Sequence, residues 1–138
     1  MRRPPAIAAA LSGLALGGVA LGVTGSFLHL ARVELLGIRW PVGLVAMLTL
    51  TIGGFWLGGR AVDRRAGVAA SYAGWLAAVL ILAVPRPEGD AVFPNSLLSL
   101  IYLFVGVLGG GIVLGAWARR APAGEAVAGA QPPSAVPG

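Results

Sequence analysis

His29 is the single histidine of the chain, and Arg32 and Glu34 follow it closely. Arg86, Glu88 and Asp90 repeat the Arg-x-Glu spacing further on. An imidazole with carboxylates can hold a divalent metal through nitrogen and oxygen, or exchange protons with a substrate. The spacing favours neither. No ligand pair falls at the short interval that a helix or turn needs to converge two donors on one ion. The expectation is a mixed-charge rim of His29, Arg32, Glu34, Arg86, Glu88 and Asp90, with His29 at an interface and the Arg-Glu pairs exposed. Exposed pairs of this kind contribute little stability. Neither a metal nor a cofactor is expected. The absence of cysteine excludes disulfides, thiol catalysis and thiolate sites. The chain also lacks a phosphate-binding loop, a nucleophile motif and a metalloprotease helix.

The elements that would position this rim follow from composition. Of 138 residues, 57% are hydrophobic and 11% charged, too apolar for a water-soluble domain of this size to cover. A lipid bilayer is the expected surrounding. Four apolar runs stand between charges and prolines, over residues 6–30, 38–59, 66–84 and 96–117. A helix rising 1.5 Å per residue needs roughly 20 residues to cross about 30 Å of hydrocarbon, so each run is long enough. Prolines at 4, 5, 41, 85, 87 and 94 fall outside the runs or in a first turn, the positions a helix tolerates. The predicted fold is all-α, a four-helix transmembrane bundle over residues 1–120, with an Ala-, Pro- and Gly-rich tail over 121–138 read as a disordered cytoplasmic end.

Arginine placement predicts orientation. Arg2, Arg3, Arg60, Arg64, Arg65, Arg119 and Arg120 are seven of the ten cationic side chains, and all belong to one side of a four-span arrangement. By the positive-inside rule both termini are cytoplasmic, in a multi-pass protein of the plasma membrane, and the rim faces outward. The net charge of +5 is therefore a topology signal, and no nucleic-acid partner is expected. "PRPEGD", from Pro85 to Asp90, then reads as an outer turn that ends the third span and holds its charges out of the lipid. A cleaved signal peptide competes for the first 26 residues, but the apolar run exceeds the roughly 7–15 residues usual in such a peptide, which favours a retained span.

Small residues recur at intervals of four, the GxxxG spacing: Gly13 and Gly17, Gly18 and Gly22, Gly54 and Gly58, Gly106 and Gly110, Gly111 and Gly115. Such spacing keeps them on one helix face, where a neighbouring backbone can approach. Packing within the chain is the main expected use, and a homo-oligomer or a membrane-protein partner the second. Trp40, Phe93, Trp56 and Trp117 suit interfacial belts, whereas Tyr72, Trp75 and Tyr102 lie deeper and suit the bundle interior or a lipid-facing place with the polar tip hydrogen-bonded. A weak repeat pairs Arg32-Val33-Glu34 and Trp40-Pro41 with Arg86-Pro87-Glu88 and Phe93-Pro94, and "GGFWLGGRA" with "GGIVLGAWA". It raises the possibility of two tandem helical hairpins in the same orientation.

The Gly59-Arg60 and Arg65-Ala66-Gly67 connection, the Gly74-Trp75 pair, and "RPEGD" followed by Phe93 resemble a family of small four-span integral membrane proteins of actinobacteria whose function is unassigned. The resemblance implies a plasma-membrane location and four spans. It assigns no catalytic or ligand residue.

No span carries an Arg, Asp or Glu at depth, whereas coupled transporters generally keep an ionisable group there. The leading expectation is a non-enzymatic structural or accessory subunit that acts through helix–helix association. The alternative is a small transporter or channel component lined by Tyr72, Trp75 and Tyr102. An outer-surface enzyme using His29, Glu34, Glu88 and Asp90 is the third reading.

Overall fold

The computed structural model describes residues 4–84, 93, 94 and 96–120. Four helices account for most of them: α1 (Pro4–Leu28), α2 (Val42–Val62), α3 (Arg65–Ala83) and α4 (Leu97–Ala118). All four are long and apolar enough to cross a membrane. Arg2, Arg3, "PRPEGD" and the 121–138 tail lie outside the described residues, so the Arg86, Glu88 and Asp90 part of the rim does too.

The second span begins later than its hydropathy predicts. Residues 38–40 belong to a short antiparallel hairpin, β1 (Val33–Leu35) and β2 (Ile38–Trp40), in the register Val33–Trp40, Glu34–Arg39 and Leu35–Ile38. The physical reason is the turn. Leu36 and Gly37 both have positive φ, 54° and 74°, which is the backbone of a two-residue type I′ turn whose twist matches the flanking strands. Gly37 accepts this conformation freely; Leu36 holds it at a cost of about 1–2 kcal/mol. The chain enters and leaves the hairpin at one place. Gly43 N–H donates to the Ala31 carbonyl at 2.9 Å, and a side chain at Gly43 would collide with the Leu28 carbonyl.

At the opposite end α2 and α3 are joined by only Asp63 and Arg64. Arg64 N–H reaches back to the Gly59 carbonyl and Asp63 N–H to the Arg60 carbonyl, a Schellman closure with Asp63 in the left-handed conformation where glycine is usual. Arg60 therefore lies in the last turn of α2 and Arg65 opens α3, while Arg119 and Arg120 follow α4. All five arginines are exposed.

In a bilayer, where lipid is as apolar as leucine, such a bundle would close through close packing and buried hydrogen bonds rather than expulsion of water. The most extensive contact is α1 on α3. There a side chain at Gly18 would strike the Ser71 carbonyl, one at Gly74 would strike the Ala15 carbonyl, and one at Gly22 would lie 2.9 Å from the Trp75 carbonyl. Backbone meets backbone along this line. Gly58 and Gly67 do the same for α2 and α3, while Gly106 and Gly110 on α4 leave room for the rings of Trp75 and Tyr72. The buried core comprises Phe55, Val68, Trp75, Val79 and Tyr102 with Leu44, Met47, Val113 and Trp117 around them.

Candidate functional site

The interior near the hairpin end of the bundle is polar and aromatic, and His29 is at its centre. His29 follows the last residue of α1, and its side chain is fully buried. The rim reading placed it at an interface beside Arg32 and Glu34; the structure turns it inward, away from both exposed residues. Glu34 pairs instead across the hairpin with Arg39 at 3.8 Å, both side chains largely in solvent. His29 and the described charges of the rim thus do not share a site.

The tautomer of His29 follows from its neighbours. Nδ1 lies 2.9 Å from the Ser26 carbonyl and 3.2 Å from that of Gly25, and carbonyls only accept, so Nδ1 carries the proton. Nε2 is then an acceptor, and the Ser99 hydroxyl donates to it at 3.1 Å. With its hydrogen so committed, Ser99 Oγ accepts from the Ser96 hydroxyl at 2.9 Å. Ser96 is the N-cap of α4 and also accepts from the Ser99 backbone N–H at 3.3 Å. The result is a directed chain, Ser96 to Ser99 to His29 to the α1 backbone. It ties the end of α1 to the start of α4 by side chains. A proton arriving on Nε2 would force every hydroxyl in the chain to reverse.

Aromatic rings close this chain on the inside. His29 stacks against Phe93 and Tyr102 at centroid distances of 5.2 and 5.1 Å. Gly25 makes the space, because a side chain there would strike the Tyr102 phenol. Below, Trp75 Nε1–H donates to the Tyr102 hydroxyl at 3.1 Å, and Phe55 meets Trp75 and Tyr72 edge-on. Tyr72 donates to the Val107 carbonyl at 3.1 Å. Trp75 and Tyr102 fill the interior, while Tyr72 is half-buried, and both phenols and the indole of Trp75 are hydrogen-bonded. The Thr51 hydroxyl lies beside Tyr102 without a hydrogen bond of good geometry. Phe55 and Thr51 were not singled out from sequence; their only signal was position on the second apolar run.

At the arginine-rich end Trp56 and Trp117 meet edge-on at 5.6 Å, and the Arg120 guanidinium lies 4.8 Å from the Trp56 ring centre. The glycine stripes divide by face. Gly18, Gly22, Gly58, Gly106 and Gly110 face neighbours, and Gly54 touches Leu21. Gly13, Gly17, Gly111 and Gly115 face open space. Gly13 and Gly17, with Leu21, Thr24, Met47 and Gly54, line a groove of about 580 Å³. Among the described residues no cluster of three metal-ligating side chains occurs.

A family of unknown function, DUF6113, matches residues 2–128, and the chain belongs to it. No curated protein and no solved structure matches the chain.

Proposed function

We propose that this member of the family is a non-enzymatic accessory or structural subunit of an actinobacterial plasma membrane, acting through helix–helix association with itself or another membrane protein. Both termini are cytoplasmic in this reading, on the strength of the arginines at the α2–α3 turn and after α4. One observation carries the association. The glycines that close the bundle are all occupied, yet Gly13 and Gly17 on α1 and Gly111 and Gly115 on α4 keep the same four-residue spacing with nothing within 4 Å. A second set of small residues permits a second close approach by another helix. The chain has no cysteine, so single cysteines at Gly17 and Gly111 report neighbours directly. Oxidative crosslinking in native membranes, followed by mass spectrometry, should give a dimer or a defined partner adduct from these positions and none from the interior Gly106. An uncrosslinked monomer without a copurifying partner overturns the reading.

A transport component is the second reading, and the Ser96–Ser99–His29 chain is what favours it, since a reversible run of hydroxyls can carry a proton. Proton flux in proteoliposomes that disappears in Ser99→Ala would put this reading first.

A further inference from the structure

The β1–β2 hairpin is amphipathic in a way the bundle does not use. Residues paired across an antiparallel ladder share a face, and alternate residues along a strand change face. The register therefore puts Val33, Leu35, Ile38 and Trp40 on one side and Glu34 and Arg39 on the other. The charged side has its ion pair. The apolar side is packed against nothing sufficient to bury it: its four residues are 49–61% exposed, and Leu36 at the tip is 95% exposed. A two-stranded ribbon is marginal in water unless its apolar face is covered. This one additionally holds a large apolar residue in a left-handed turn position at its most exposed point.

Continuity identifies the cover. Exposed apolar residues run through Phe27 and Leu28 at the end of α1, through the hairpin, and into Val42 and Val45 at the start of α2. Lipid covers the helix ends of a spanning bundle, and of the residues between Leu28 and Val33 only Arg32 is charged, a side chain long enough to reach the headgroups. Its reach agrees: three residues per strand make a ribbon about 10 Å long, which standing upright would carry its tip beyond the headgroup layer and lying flat stays within it. Gly43 holds the base of the ribbon against the end of α1, at the level of the helix termini.

We infer that the β1–β2 hairpin is a membrane-surface anchor, lying in the headgroup region of its own bilayer with Val33, Leu35, Ile38 and Trp40 toward the acyl chains. Trp40 sits where indoles partition best, at the boundary of hydrocarbon and headgroups. Arg32, exposed at the entry to β1, complements lipid phosphates. The inference rests on the helices spanning a bilayer and is independent of whether the bundles associate.

Single-cysteine variants at Glu34, Leu35, Ile38 and Arg39, each carrying a nitroxide, test it in phosphatidylcholine–phosphatidylglycerol proteoliposomes. Collision with oxygen, which concentrates in lipid, is compared with collision with a water-soluble nickel chelate. Labels at 35 and 38 should favour oxygen severalfold over labels at 34 and 39. Equal access to nickel at all four positions overturns the proposal, because the ribbon then projects into water. Labels at 35 and 38 shielded from both reagents also overturn it, since protein then covers the face; spin–spin broadening would identify a second copy. Trp40→Phe provides a check without a label. Quenching by brominated acyl chains should drop relative to wild type if Trp40 is immersed, and unchanged quenching counts as refutation.

Discussion

Replacing His29 and Ser99 singly and together measures whether the buried chain holds α1 to α4. Ser99→Ala removes the one donor to Nε2 among the described residues, and the ring cannot compensate by moving its proton because Nδ1 faces two carbonyls. A buried acceptor left unpaired costs about 1–3 kcal/mol. His29→Phe preserves ring stacking on Phe93 and Tyr102 but leaves the Ser26 carbonyl without the imidazole donor. Gly25 keeps the His29 backbone N–H at 2.9 Å, and the Ser99 hydroxyl can turn to Ser96. That substitution should therefore cost about 1–2 kcal/mol. In the double variant the unpaired Nε2 has gone with the ring, and the Ser26 carbonyl is no worse placed than in His29→Phe alone, so the loss should be smaller than the sum. Such cycles in membrane proteins average about 0.6 kcal/mol and reach about 1.7, and the double anchoring of this imidazole places the expected coupling in the upper half of that range. Unfolding titrations in mixed micelles, followed by near-ultraviolet circular dichroism, give the four free energies. Additivity within about 0.3 kcal/mol would refute the argument that the two side chains act as one bond.

The remaining predictions use other parts of the molecule. Gly17→Ala should be neutral or stabilising by up to about 1 kcal/mol, because Gly17 meets open space within a helix; Gly18→Ala should abolish the folded bundle, since the Ser71 carbonyl stands where the methyl would go, and paired thermal melts in detergent separate the two. Thr51→Val exchanges an unbonded buried hydroxyl for a methyl and should raise or leave unchanged the melting temperature, where a fall would show that the hydroxyl has an essential partner. Arg120→Ala removes the cation stacked on Trp56 and should cost about 0.5–1 kcal/mol, read as a lower melting temperature with an altered tryptophan emission.

The four helices were legible because their apolar runs match the width of a bilayer and their prolines mark the ends. The α2 boundary was not, since hydropathy cannot separate Ile38 and Trp40 in a half-exposed strand from the same residues in a helix. A subtler signal was present. Val33-Glu34-Leu35 and Ile38-Arg39-Trp40 alternate apolar and charged residues around a glycine-containing pair, the pattern of a hairpin. His29 was misplaced for a different reason. Its neighbours in sequence are a helix end and two exposed charges, whereas the side chain it bonds lies 70 residues away, and no spacing rule reaches that far. The glycines show the same division. Four-residue spacing marks a face suited to close approach, but only the arrangement of all four helices decides that Gly18 meets a backbone while Gly17 beside it meets none.

The close pairing of α1 with α3 also orders the birth of the molecule. The ribosome delivers α1 and α2 first, and at that stage Gly18 and Gly22 have no companion, because Ser71, Gly74 and Trp75 are not yet made. In a bilayer the early hairpin would wait with its narrowest face open. α3 fills that face, and only with the emergence of Ser99 does His29 gain the donor to its ring. The last span thus acts as a clasp, supplying from Ser99 the side-chain hydrogen bond that ties its start to the end of α1.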